Sequence, residues 1–202
     1  MSRIPDHPIE QLFIDRWSPR SFADEPVADE VLASAFEAAR WAPSAHNGQP
    51  WRFVVARRGD AAWGDFLSFL MPFNRDWAEH ASALIAIISA QTIERRGERS
   101  ANGSHSFDAG AAWANFAHQA LLLGWHTHGI GGFDRESARR LLQVPDDHAL
   151  EAVVALGRRG PAEALREDLR HRETPNERDP VTSFVFAGRF GKPLFNSKRN
   201  AA

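Results

Sequence analysis

Apolar positions change their spacing several times along this chain, and each change predicts an element. From Ala28 to Trp41, the residues Val31, Leu32, Ala35, Phe36 and Ala39 fall on one helical face. Pro26 precedes that stretch and Pro43 follows it, as helix boundaries often show. Pro8 to Trp17 reads as a shorter helix ending near Pro19, and Asp60 to Leu70 as another. Trp51 to Ala56 is rich in β-branched and aromatic residues and predicts a strand. Leu84 to Ser89 is continuously apolar, which predicts a strand buried on both faces. Gln91 to Ser106 is polar, contains Gly97 and Gly103, and reads as a mobile loop. Phe107 to Gly124 is the strongest helix, rich in alanine and closed by Gly124. Trp125 to Ile130 and Glu151 to Leu156 predict strands. Asp134 to Gln143 predicts a helix capped by Asp134. Trp41, Trp63, Trp77 and Trp113 are mostly core candidates.

Helices and strands therefore alternate with no repeat and no low-complexity linker. The expected fold class is α+β, a sheet flanked by helices in one domain spanning 1–202. From Gly157 onward the chain is charged and punctuated by proline, and it ends in a short apolar piece, Phe184 to Phe186, and a basic tail. An extension of that kind, from about residue 160 to 202, is too polar to pack alone and is expected either to be disordered or to lie across another surface, such as a partner subunit.

Composition removes several function classes. The chain has 202 residues, 43% of them hydrophobic, enough for a sizeable core. A net charge of -2 gives no basic field for nucleic acid. With no cysteine, disulfides, thiolate metal sites, cysteine nucleophiles and CxxC redox pairs are excluded. A redox role would have to rest on a bound cofactor. Met1 to Glu10 lacks the plan of a signal peptide, and Ala83 to Ile88 is too short to span a bilayer. The expectation is a soluble cytoplasmic protein without membrane or nucleic-acid partners.

No phosphate loop of the G-x-x-x-x-G-K-[ST] type and no G-x-S-x-G elbow occurs. Gly129-Ile130-Gly131-Gly132-Phe133-Asp134 begins like a dinucleotide fingerprint, but Asp134 stands where the last glycine belongs. Nine histidines are present; His126 and His128 share one face of a strand, yet no carboxylate set accompanies them, so no metal site is expected.

Three segments carry candidate chemistry. Arg16-Trp17-Ser18-Pro19-Arg20, with Phe22 beyond, places two guanidinium groups and a hydroxyl together, the donors a phosphate needs. By itself such a segment is more often a solvated basic turn. Pro43-Ser44-Ala45-His46-Asn47-Gly48-Gln49-Pro50-Trp51 offers uncharged amide and backbone donors suited to a heteroaromatic ring, or is a generic loop. The glycines of 129–132 let a planar ligand approach the backbone, or serve a turn that needs positive φ.

In order and spacing these segments resemble the nitroreductase family of flavin enzymes. Arg16, Ser18, Arg20 and Phe22 match its opening R-x-S-x-[RK]-x-F. Ala42 to Val55 matches its most diagnostic stretch. Asp108 to Asn115 with Leu121 to Gly124, then Gly131-Gly132-Phe133-Asp134, and late Arg178-Asp179-Pro180, resemble its central helix, glycine turn and C-terminal basic residue. The resemblance runs from about Ile9 to about Phe190.

The resemblance implies a three-layered fold, with a central, mainly antiparallel sheet flanked by helices and a C-terminal extension onto a dimer partner. It also implies that FMN binds at the interface of a homodimer. By the same resemblance, Arg16 and Ser18 would hold the phosphate, with Trp17 contributing from the same turn and Arg178 as a second phosphate ligand. Arg20 would face the ribityl chain and the pyrimidine edge. Pro43, Ser44, Ala45 and Asn47 would pack on the ring from the other subunit. Asn74 would meet the pyrimidine side, and Gly131 and Gly132 the ring edge near N5. NAD(P)H would reduce the flavin, and a nitroaromatic, quinone or similar small acceptor would reoxidise it by ping-pong hydride transfer, with no catalytic protein nucleophile or base. Relatives with other flavin chemistry (dehalogenase, azoline oxidase, flavin-cleaving), a non-catalytic FMN-binding protein and a structural dimer without FMN are the alternatives. Three positions depart from the common pattern: Asn176 where many members have lysine, Gly131 where many have an acid, and Trp77 where some have lysine near the flavin.

Overall fold

The computed structural model describes residues 3–195. A short helix α1 (Gln11–Asp15) leads through an extended segment to α2 (Asp29–Arg40) and strand β1 (Trp51–Arg57). Helices α3 (Trp63–Phe69) and α4 (Pro72–Ala78) precede β2 (Ala83–Ala90). A hairpin, β3 (Thr92–Arg95) and β4 (Glu98–Ala101), leads to the long helix α5 (His105–Leu122). The chain continues through β5 (His126–Ile130), α6 (Arg135–Leu141), β6 (His148–Gly157) and α7 (Glu167–Arg170). Four strands form an antiparallel sheet in the order β1-β2-β6-β5.

The central pair explains the apolar run of β2. Leu84, Ala86 and Ile88 point to one core with Phe66, Phe69 and Trp77 from α3 and α4 and Ala138 from α6. Ala83, Ile85 and Ile87 point to a second core, under Leu32, Ala35 and Ala39 of α2 and Ala109, Ala112 and Phe116 of α5. A strand covered on both faces needs no polar alternation. The result is the three-layer arrangement the resemblance implied. Asp134 caps α6 as expected, its Oδ1 accepting from the amides of Glu136 and Ser137 at 3.0 Å each. Among the described residues no helix is long and apolar enough to cross a membrane.

Three expectations are corrected. The segment Gln91 to Ser106 is not an irregular loop but contains the β3–β4 hairpin. Arg96 and Gly97 turn it with φ of 52° and 82°, the mirror-image turn whose twist suits paired strands. The first helix is cut to Gln11–Asp15, which leaves Arg16 in extended backbone at φ -67°, ψ 119°. Helix α4 forms where no element was expected, opened by Pro72 at its first turn and anchored by the buried Trp77 and Ala78.

The C-terminal segment is also less free than its composition suggests. Leu165, Leu169 and Glu173 are buried against their own chain. From Pro175 onward the backbone runs on the surface, and Phe190 is 94% exposed. The basic tail lies outside the described residues.

Candidate functional site

The segment after α1 behaves as an extended chain whose side chains alternate. Trp17, Pro19 and Ser21 are buried, while Arg16, Ser18 and Arg20 face the opposite side. Phe22 then bridges to Arg159 beyond β6, fixing the far end. What fixes the middle is Glu173: its carboxylate accepts from the Arg20 amide through both oxygens (3.1 and 3.0 Å) and from the Ser21 amide at 3.0 Å.

The outward face opens on a cavity of about 470 Å³. Arg16, Ser18, Arg20 and Arg178, all named from the sequence, line it together. Arg3, Arg172, His128, His171 and Thr174 also line it, and sequence reasoning did not assign them to a site. Trp17 borders the cavity, but its ring is buried with the Arg159 guanidinium 5.2 Å above it. Five guanidinium groups thus converge, and among the described residues no carboxylate side chain lines the cavity. Burial pushes Arg16 below the usual guanidinium pKa, and Arg178 and Arg3 push it further. Burial does the same to Arg20, assisted by Arg172. The Nε atom of Arg20 is buried with no hydrogen-bond partner among the described residues. Buried donors without acceptors are costly, so this pocket is built for an anion with several oxygens.

His128 closes the cavity floor. Its Nδ1 lies 2.9 Å from the Pro19 carbonyl; a carbonyl only accepts, so Nδ1 carries the proton. The ring packs on Trp77 at 4.5 Å. Burial pushes its pKa down to about 4, with Arg20 and Arg16 adding repulsion, against the pull of the Pro19 bond. The unfolded chain, with a histidine pKa of about 6.5, therefore binds this proton more readily than the folded one. Stability is full above pH 6.5 and is lost as pH falls from 6.5 toward 4, by about 3 kcal/mol from this residue. Thermal melts at pH 7 and pH 4 should show a larger drop for the wild type than for His128→Phe. Equal drops in the two proteins would show that His128 does not carry this dependence.

Asn74, Gly131 and Gly132 are not among the residues lining this cavity; they form a separate wall. The Asn74 side-chain amide donates to the Gly132 carbonyl at 3.0 Å, as does the Met71 amide at 3.2 Å. A Cβ on Gly132 would sit 2.6 Å from Asn74 Nδ2, whereas one on Gly131 would meet nothing within 4 Å. Neither glycine has positive φ, so close approach and open space explain them, not turn geometry. Helix α4 ties this wall to the arginine cavity: Phe73 lies 5.6 Å under the Arg172 guanidinium, and Trp77 packs on His128.

The loop of Pro43, Ser44, Ala45 and Asn47 lies elsewhere in the chain. The Ala45 amide donates to buried Asp108 near the start of α5, while α1, just before the arginine segment, meets α5 at His118 through Phe13. Ten helical residues separate these points by about 15 Å. The loop is strained: His46, Asn47 and Gln49 all have left-handed φ (53°, 54° and 45°), at a cost of about 1–2 kcal/mol per residue for L side chains. Gly48 between them has an ordinary φ of -72°. It is needed for space, since a Cβ there would meet Ile93 Cδ1 of the hairpin at 2.6 Å. Strain concentrated in one short loop marks it as a site candidate independently of its sequence.

Two observations concern residues outside these segments. Among the described residues no group of three or more His, Asp or Glu side chains could hold a metal. Of the tryptophans expected in the core, Trp77 is buried but Trp41 is 71% exposed, stacked under Arg40.

Comparison with known proteins agrees with this geometry. A family model described as the nitroreductase family matches residues 14–158. A crystal structure described as an oxidoreductase containing FMN is similar at 44% identity and a TM-score of 0.90, covering 94% of this chain and 96% of its own. A structure from Desulfovibrio desulfuricans, solved in complex with FMN, is 25% identical with a TM-score of 0.70, over 92% of this chain and 99% of its own. A Thermus thermophilus NADH dehydrogenase is 30% identical, covering 71% of this chain and 83% of the relative.

Proposed function

Because the chain belongs to the nitroreductase family, we propose that it is a homodimeric FMN-dependent oxidoreductase using NAD(P)H to reduce nitroaromatic, quinone or similar small acceptors. The observation that carries this reading is the arginine cavity, where among the described residues Arg20 Nε has no partner and no carboxylate side chain lines the space. The FMN phosphate has the charge and the oxygens such a cavity lacks.

Arg16, Ser18 and Arg178 would hold the phosphate, and Arg20 the ribityl and pyrimidine side. Asn74, Gly131 and Gly132 would border the ring edge, where the open space at Gly131 leaves room for it. The partner's Pro43, Ser44, Ala45 and Asn47 would cover the ring, since the chain's own loop sits about 15 Å along α5 from the arginine segment. A two-fold pairing would bring each loop to the other chain's cavity. Exposed Phe107, Trp41 and Leu122 supply apolar surface for that pairing.

When bound, FMN supplies hydride transfer through its N5. The chain's own groups bind and orient it, and the cationic Arg20 favours the reduced, anionic state at its pyrimidine edge. Steady-state rates with NADH or NADPH and a nitroaromatic or quinone test the proposal. Parallel reciprocal plots are expected, and absence of turnover with either nicotinamide across an acceptor panel would overturn it.

A further inference from the structure

Asn176 leaves the late basic motif one cation short of the pattern many relatives carry, and the structure brings an arginine from the opposite end of the chain to that spot. Arg3 Nε donates to the Asn176 carbonyl itself at 2.8 Å. Its Nη1 donates to the carbonyls of Ile14 at 2.7 Å and Arg16 at 2.8 Å. One guanidinium thus straps the Arg16 segment to the Arg178 segment, the two arms that meet at the cavity. The same side chain lines the cavity. A guanidinium has five N–H donors in a planar fork. Three are spent on these carbonyls, and the two on Nη2 have no partner among the described residues.

We infer that Arg3 is a phosphate-binding residue of this chain, supplying the charge absent at Asn176 while holding the two arginine arms at a fixed separation. The inference rests on the FMN reading above. A residue that merely strapped the arms would have no need to face the cavity. Nor is a strap of fixed charge favoured here: burial and then Arg178 disfavour its charge, Asp15 opposes them with a smaller effect, and it adds repulsion to Arg16. An anion in the cavity would offset that repulsion.

The test is a comparison of FMN with riboflavin, which lacks the phosphate, titrated into the full chain stripped of flavin. Arg3→Gln should weaken FMN binding about tenfold, the scale of one charged hydrogen-bond partner, and leave riboflavin binding unchanged. Arg3→Lys keeps the charge without the fork and should stay within about threefold of wild type for FMN. Two results overturn the assignment: equal weakening of FMN and riboflavin in Arg3→Gln, or a loss in Arg3→Lys as large as in Arg3→Gln, which is the outcome for a strap that needs the fork and not the charge. A wild-type chain that does not prefer FMN over riboflavin overturns the FMN phosphate reading as well. A clear wild-type preference that Arg3→Gln retains in full overturns the Arg3 assignment alone.

Discussion

Arg16→Ala is expected to weaken FMN binding about 100-fold while leaving the flavin-free protein as stable as wild type or slightly more so. Both halves come from one fact. Arg16 is part of an uncompensated cationic cluster, lowered in pKa first by burial and then by Arg178 and Arg3. In the flavin-free chain its charge is repelled, and among the described residues its one side-chain hydrogen bond is a long 3.4 Å bond to Ser18 Oγ. Removing it relieves repulsion. With a phosphate present, the same deletion strips a buried anion of a charged partner, which costs about 3 kcal/mol, or about 100-fold in affinity. Titration of FMN together with a thermal melt without flavin measures both. Full retention of affinity would displace the phosphate from this segment.

Glu173→Ala should do the reverse, damaging the fold before the ligand. Glu173 is 4% exposed and takes three backbone hydrogen bonds from Arg20 and Ser21, far away in the chain. Truncation leaves two amides without acceptors and removes an acid whose charge favours that of Arg20. The cost should be about 3–5 kcal/mol, seen as a fall of about 10 °C in Tm for a chain of this size. FMN affinity should fall too, because Arg20 is then no longer held in register. A melt within about two degrees of wild type would mean that Glu173 does not latch the segment. The paired result, ligand loss without fold loss at Arg16 and fold loss at Glu173, separates the groups that meet the anion from the group that positions them.

How much of this could be read from the chain depended on distance along it. The apolar run of β2 announced itself because the strand is buried almost throughout, and the alanine-rich α5 because one buried face runs along it. The β3–β4 hairpin did not: most of its residues are exposed on both faces, so no alternation marks it, and the sign of its turn was Gly97 alone. Helix α4 was hidden because seven residues carry too little period to stand out beside the neighbouring apolar run. At the site, Arg16, Ser18 and Arg20 were recognisable because their donors cluster within five residues in the order of the family's opening pattern. Arg3, His128, Arg172 and Glu173 were not, because no local pattern links positions that only tertiary structure brings together. In the strained loop the left-handed residues are His46, Asn47 and Gln49, which no sequence signal marked, while Gly48 makes room for Ile93.

The arginine cavity and the strained loop matter functionally only if they serve one flavin between two copies of the chain. That such a flavin works as an oxidoreductase is tested most directly by adding NADH, and separately NADPH, to the purified FMN-loaded protein without air and following the flavin absorbance near its visible maximum. At least one nicotinamide is expected to bleach the yellow colour, and a nitroaromatic or quinone to restore it. Colour that persists with both nicotinamides would contradict the oxidoreductase reading and leave the chain a flavin-binding protein without hydride transfer.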